Sequence, residues 1–233
     1  MKVLVVNGSP KGEKSATMYL TRAFLEGAGW TDAEIIDISK VNVKGCNGCY
    51  SCWEKTPGKC VINDDMARFL PKLIEADVVI TSFPLYGCYF PGQLKCFMDR
   101  MLPISLPFMD KEAESGGHPL RHDLSKRRQF FISTCGFWTA DGNYDSIIKL
   151  FERGGAKVNH KAFTIFCGQG GLFGEVDAEE YTNAYLDTVR KAGSEFAAGE
   201  ISEETQMILT QPILPREVYE RAADESWEIQ EGQ

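Results

Sequence analysis

The chain contains no stretch of about 18 or more apolar residues, which excludes a membrane-spanning helix on length alone. It also lacks any excess of positive charge. Lys and Arg number 25 against 33 Asp and Glu, a formal net charge of −8. Phosphate-backbone binding as a main activity is thereby set aside, because nucleic-acid binders carry a basic footprint. Lys126-Arg127-Arg128 is the one tight basic run and reads as a solvated lead-in to a strand. No secretory signal is legible, since Val3 to Val6 is too short for an apolar signal core and stops at Asn7-Gly8-Ser9-Pro10. Two nucleotide motifs are missing as well. The P-loop fails at Glu13, which stands where glycine is required before Lys14-Ser15 and would repel phosphate. The dinucleotide fingerprint fails because Ser9-Pro10 follows Gly8 with no glycine two residues on. The expectation is a cytoplasmic protein with neither nucleic acid nor membrane as partner.

What is present alternates strand with helix, the pattern of an α/β fold around a parallel sheet. Strands are expected over 2–7, 34–38, 77–83, 128–134 and 162–167. A helix is expected over 15–27, with Ala16, Leu20, Ala23, Phe24 and Gly27 on one face. Another starts after Asp64 and buries Met66, Phe69, Leu70 and Leu73, with a kink expected at Pro71. A third, opened by Pro91, carries Leu94, Phe97, Met98 and Met101. Two more are marked by Tyr144, Ile147, Ile148 and Phe151, ending at Gly154-Gly155, and by Tyr181, Tyr185, Thr188, Ala192 and Phe196. The polar 103–126 stretch reads as a lid or a subunit contact. Residues 199–233, with a short helical piece around Tyr219, Ala223 and Trp227, read as an arm on a main domain of 1–198.

Ligands of a doubly wound sheet bind beyond the carboxyl ends of the strands, at the switch in strand order. That rule selects four loops here, 8–15, 84–91, 134–142 and 168–174. In the first, Gly8-Ser9-Pro10-Lys11 and Ser15-Ala16-Thr17 join a buried strand to a helix N-terminus, where backbone N–H groups and the helix dipole attract phosphate. The alternative is a plain turn at Ser9 with Ser15 as helix cap. Tyr86, Tyr89, Phe90, Phe137 and Trp138 crowd the strand ends, where a flat ring system would need partners or where ordinary core packing would place them.

Four cysteines fall within fifteen residues as Cys46-x2-Cys49-x2-Cys52-x7-Cys60. Three thiolates at two-residue intervals can converge on one face of an iron–sulfur cluster, with the fourth returning after Lys55-Thr56-Pro57-Gly58-Lys59. Structural zinc, a redox dithiol such as Cys49 with Cys52, and unligated thiols are the other readings. Cys88, Cys96, Cys135 and Cys167 stand singly among apolar neighbours and read as small core residues. His118 and His122, four apart but interrupted by Pro119, make a poor metal pair, and Asp64-Asp65 reads as helix capping.

Taken together, Gly8-Ser9-Pro10-Lys11, Ser15-Ala16-Thr17, Pro84-Leu85-Tyr86, Pro91-Gly92-Gln93-Leu94-Lys95 and Asp99-Arg100 resemble the NAD(P)H-dependent FMN reductases of the flavodoxin-like superfamily. The cysteine loop, closing on Asp64-Asp65-Met66, resembles that of their iron–sulfur flavoprotein branch. The resemblance covers about residues 1–198. It implies a flavodoxin-like doubly wound sheet of five parallel strands with helices on both faces, and non-covalent FMN. Ser9, Lys11, Ser15, Ala16 and Thr17 would hold the FMN phosphate. Pro84, Leu85, Tyr86 and Gly87 would flank the ribityl chain and ring, and Thr134, Cys135 and Gly136 would line its other edge. Lys11 replaces a frequent arginine and Ala16 a frequent asparagine. Cys46, Cys49, Cys52 and Cys60 would hold a 4Fe–4S cluster. The implied activity passes electrons from NAD(P)H to a quinone, a flavin or another small acceptor, within a homodimer or homotetramer. The alternative is a non-enzymatic electron carrier or redox sensor served by a partner protein.

Overall fold

The computed structural model describes residues 1–112, 116–153 and 163–227. Five parallel strands form one sheet: β1 Val3–Asn7, β2 Glu34–Asp37, β3 Val78–Pro84, β4 Arg128–Thr134 and β5 Thr164–Cys167. Their order is β2-β1-β3-β4-β5, with Val5 beside Ile35 and Ile80, and Ile80 beside Phe130. This is the flavodoxin-like order, in which the chain reverses direction across the sheet between β1 and β3. The central strands are apolar almost throughout because both faces are covered.

On one face lie α3 Met66–Glu75, α4 Gly92–Asp99 and α5 Asp145–Arg153; on the other lie α1 Ala16–Gly27 and α6 Glu179–Ala198. The expected stripe of α3 is buried in full, and the helix runs unbroken through Pro71. For α6 the stripe is shifted: Tyr181 is exposed, while Thr182, Leu186 and Val189 join Tyr185, Ala192 and Phe196 inside. Helices α1 and α6 touch backbone to backbone. A Cβ at Gly27 would sit 1.9 Å from the Arg190 carbonyl oxygen, and one at Gly193 would sit 2.1 Å from that of Phe24.

The basic run is not simply solvated. Arg128 lies 3.6 Å over the Phe196 ring and donates to the Phe196 and Gly199 carbonyls, and Arg127 donates to the Leu73 carbonyl. The arm returns to its own chain through α7 Glu203–Leu209, which the periodicity did not reveal, and α8 Arg216–Glu225; Ile201, Leu209 and Tyr219 are buried. Gly154-Gly155 and the start of the fifth expected strand lie outside the described residues. No helix among the described residues is long and apolar enough to cross a membrane.

Candidate functional site

The β1–α1 connection is held in shape before any ligand arrives. Asn7 Oδ1 accepts from the Ser9 amide at 3.1 Å, Ser9 Oγ accepts from the Lys11 amide at 3.2 Å, and the Gly8 amide donates to Ser82 O at 2.7 Å. A Cβ at Gly8 would meet Leu94 Cδ2 at 2.6 Å, so only glycine lets α4 pack beneath this loop. Ser15 precedes α1 with extended backbone and its hydroxyl pairs with that of Thr17 at 3.1 Å. The Met18 amide turns back to Ser15 O. The amides of Ala16 and Thr17 head the helix with no acceptor among the described residues, as helix geometry requires. Ser9, Ser15 and Thr17 are buried, Ala16 is half-buried and Lys11 is exposed. The Asn7 side-chain nitrogen is buried without a partner among the described residues. These free donors and the positive helix end make a fitting seat for a phosphate.

The β3 loop turns back on itself. Tyr86 and Tyr89 exchange both backbone hydrogen bonds at 3.0 Å, and Gly87 and Cys88 between them have φ of 56° and 57°. Both central residues are left-handed, as in a type I′ hairpin turn. Glycine accepts that freely; Cys88 does not, and it is exposed at the tip rather than in the core. Leu85 is buried beneath, with its amide on Thr134 O. The aromatic group divides. Tyr86 and Phe137 are exposed at the strand ends, Phe90 belongs to the core, and Trp138 packs towards the arm with Arg216 5.1 Å from its ring.

Thr134 and Cys135 are buried at the end of β4, and burial pushes the Cys135 thiol pKa up. The same cause pushes Cys167 up to about 12, so both are inert small residues. Behind them sits Gln169, which sequence reasoning did not single out. It is fully buried with φ of 57°. Its Nε2 donates to Trp138 O at 3.1 Å and Leu214 O at 2.8 Å, and its Oε1 accepts from the Leu214 amide at 2.8 Å. Tyr219 Oη donates to Gly136 O at 2.7 Å. The arm is therefore fastened to the loop expected at the ring edge.

The cysteine loop forms a second centre. Cys46, Cys49, Cys52 and Cys60 line one small pocket with Asp99 and Arg100. Cys52 is buried, Cys60 half-buried, and Cys46 and Cys49 exposed at the mouth. Burial and the neighbouring sulfurs raise the Cys52 pKa, whereas hydrogen bonds from Ser51 lower that of Cys49. Among the described residues no three His, Cys, Asp or Glu converge as one metal ion demands; the four thiols surround a pocket instead. That soft, all-sulfur donor set suits an iron–sulfur cluster. Cys96 is half-buried beside the loop, 3.8 Å from where a Cβ of Gly45 would lie.

Residues around Ser105, His118 and Arg121 cover this loop on one side. Ser105 and Leu120 form an antiparallel bridge, Trp53 Nε1 donates to Ser105 O at 3.0 Å, and the Trp53 and His118 rings lie 4.8 Å apart. Asp64 does more than cap. Its carboxylate pairs with Arg100 through two hydrogen bonds of 2.7 and 3.0 Å and also accepts the Lys44 and Met66 amides. Burial would raise the Asp64 pKa, but the bond from Arg100 and those two amides outweigh it and hold it below the usual carboxylate value.

Residues 1–124 match the family model for NADPH-dependent FMN reductase. An iron–sulfur flavoprotein of Methanocaldococcus jannaschii is 34% identical over 117 residues, 50% of this chain and 60% of the relative. One of Archaeoglobus fulgidus is 37% identical over 105 residues, 44% of this chain and 46% of the relative. The chain thus spans about half the length of these curated relatives. Among solved structures, an NAD(P)H:quinone oxidoreductase from Methanothermobacter marburgensis superposes with a TM-score of 0.60 at 18% identity, covering 84% of this chain and 98% of the other. An FMN-dependent NADH-azoreductase from Bacillus anthracis, in complex with FMN, gives 0.55 at 20% identity over 84% and 99%. At such identities they share the fold. With the family model spanning more than half of the sequence and the sheet order in agreement, the chain belongs to the NADPH-dependent FMN reductase family.

Proposed function

We propose that the chain is an FMN-dependent oxidoreductase that takes electrons from NAD(P)H and passes them to a quinone, a flavin or another small acceptor. The observation that carries this reading is the preassembled phosphate seat at the β1/β3 switch point, with exposed Tyr86 and Phe137 on the neighbouring loops. Ser9, Lys11, Ser15, Ala16 and Thr17 hold the phosphate end. Of these, the Ala16 and Thr17 amides and the Lys11 ammonium meet it, while the buried hydroxyls brace the loop from below. Pro84, Leu85, Tyr86 and Gly87 flank one side of the flavin, and Thr134, Cys135 and Gly136 the other. FMN held by these residues would supply hydride acceptance from a nicotinamide and release of electrons singly or in pairs. The protein orients the ring and leaves one face open.

Cys46, Cys49, Cys52 and Cys60 are proposed to hold a 4Fe–4S cluster, on the support of their common pocket and of the relatives' description as iron–sulfur flavoproteins. A homodimer or homotetramer is the proposed assembly, with exposed Phe108, Met109 and Leu120 as contacts. The test is an absorption spectrum of protein purified without air, with iron and sulfide assays and NAD(P)H oxidation on the same sample. Flavin bands with NAD(P)H-dependent turnover are expected; a chain that takes up no FMN overturns the proposal. The exposed thiols at the pocket mouth favour one further reading, an electron carrier served by a protein partner. Flavin reduced by such a partner but not by NAD(P)H would select it.

A further inference from the structure

The strongest unexplained feature of the molecule is a buried cation beside the four cysteines. Arg100 is 1% exposed and its partner Asp64 is fully buried. The two terminal nitrogens of the guanidinium are engaged, Nη1 by Asp64 and the Lys44 carbonyl and Nη2 by Asp64. Its third nitrogen, Nε, is buried and has no acceptor among the described residues. Buried donors are nearly always satisfied, so a leftover N–H at a pocket wall calls for an acceptor inside that pocket. The pocket wall shared with Arg100 includes all four of Cys46, Cys49, Cys52 and Cys60, along with Asn47 and Asp99.

Its placement is also over-determined. Asp64 accepts the amide of Lys44, two residues before the first cysteine, and that of Met66, six residues after the last. The carboxylate therefore clamps the two ends of the loop and presents the guanidinium inward. Cys60, half-buried, lines the same pocket as Arg100. For holding the loop alone, an ion pair has no advantage over apolar residues of equal volume, because both charges must be stripped of water. A directed positive charge has a use only where negative charge collects.

We infer that Arg100 is the positioning residue of the cysteine centre, its unpartnered Nε–H offered to the pocket that the four thiols line and its fixed charge favouring the electron-rich state of a cluster held there. The inference rests on the cluster reading above. Hydrogen bonds to ligand sulfur and nearby charge are principal settings of a cluster's reduction potential. Arginine supplies both and keeps its charge at any working pH. Reduction adds negative charge to the pocket, so Arg100 raises the potential.

The test is a redox titration followed by paramagnetic resonance on the full chain, purified without air and assayed for iron and sulfide. The variants are Asp64→Asn and Arg100→Gln combined with Asp64→Asn, so that neither leaves an unpaired carboxylate. In the double variant the reduced-to-oxidised ratio at fixed potential is expected to fall at least tenfold, about 59 mV for one electron. Asp64→Asn alone, which keeps the guanidinium, should not lower it. Selective loss of iron from the double variant would also support the inference, since that variant alone lacks the guanidinium at the pocket wall. A fully loaded double variant at the wild-type potential overturns it, as does equal iron loss or an equal fall in both variants. Wild-type protein without iron or sulfide after reconstitution instead removes the cluster reading beneath it.

Discussion

Replacing Ala16 by aspartate separates phosphate binding from folding, because the two should respond with opposite sign. Ala16 is the first residue of α1, half-buried, with its amide among the free donors. A carboxylate there faces the positive end of a twelve-residue helix, which is worth about 0.3–1 kcal/mol of added stability. The same carboxylate would repel a phosphate held by these amides. At an effective dielectric of about 20, two like unit charges about 6 Å apart repel by about 3 kcal/mol, near a hundredfold in affinity. Salt screening over a Debye length of about 8 Å trims this, so ten- to a hundredfold weaker FMN binding is expected. Quenching of flavin fluorescence on titration measures the affinity, and thermal unfolding of the flavin-free protein measures the stability. Unchanged FMN affinity in a folded variant would refute the phosphate seat. Weaker binding with a large loss of stability would refute the reasoning as well, since it would mean that the loop had simply come apart.

Gln169→Leu removes three buried hydrogen bonds that fasten the arm, about 3 kcal/mol in sum; limited proteolysis should release the arm about a hundredfold faster, with the 1–198 part still folded. Gly193→Ala forces a Cβ against the Phe24 carbonyl at 2.1 Å, where backbone cannot yield, and should cost at least the ~1–3 kcal/mol typical of overpacking in urea unfolding. Asp64→Ala leaves Arg100 buried and unpaired, and a loss of about 3–5 kcal/mol in the same assay is expected. The Asp64 pKa lies below 3.8 in the folded protein, so its contribution is complete above that value and disappears as pH falls through the lower folded pKa. Wild type should accordingly lose its advantage over Asp64→Asn below about pH 3.8, and a pH-independent difference between them would count against the pairing.

The sheet was legible because its residues repeat a physical rule. Short clusters of β-branched and aromatic residues gave four of the five strands to within about a residue; the start of the fifth expectation falls outside the described residues. The β1–α1 connection was legible for a related reason, since Gly8, Ser9 and Pro10 end an apolar run shortly before a helix. What escaped was decided by distant contacts. Tyr181 fits the periodicity of α6 as well as Thr182 does, and only the position of α1 decides which faces inward. Gln169 is an ordinary glutamine until Leu214, 45 residues later, returns to it. Arg100 carried a family resemblance, but its meeting with Asp64 across 36 residues has no local signature. Asp64 itself was legible as a cap and not as half of an ion pair.

The backbone contact between α1 and α6 has a consequence for how a cofactor is handled. Helices that meet at Gly27 and Gly193 cannot roll or slide past each other without main-chain collision. The amides that head α1 are thus aimed before anything binds, and little ordering has to be done on arrival. The opposite end of the site is built from a two-residue turn and exposed rings. A cofactor seated as proposed would be moored by its tail with one face of its head open to reactants, so retention and exchange would be governed by different parts of the chain.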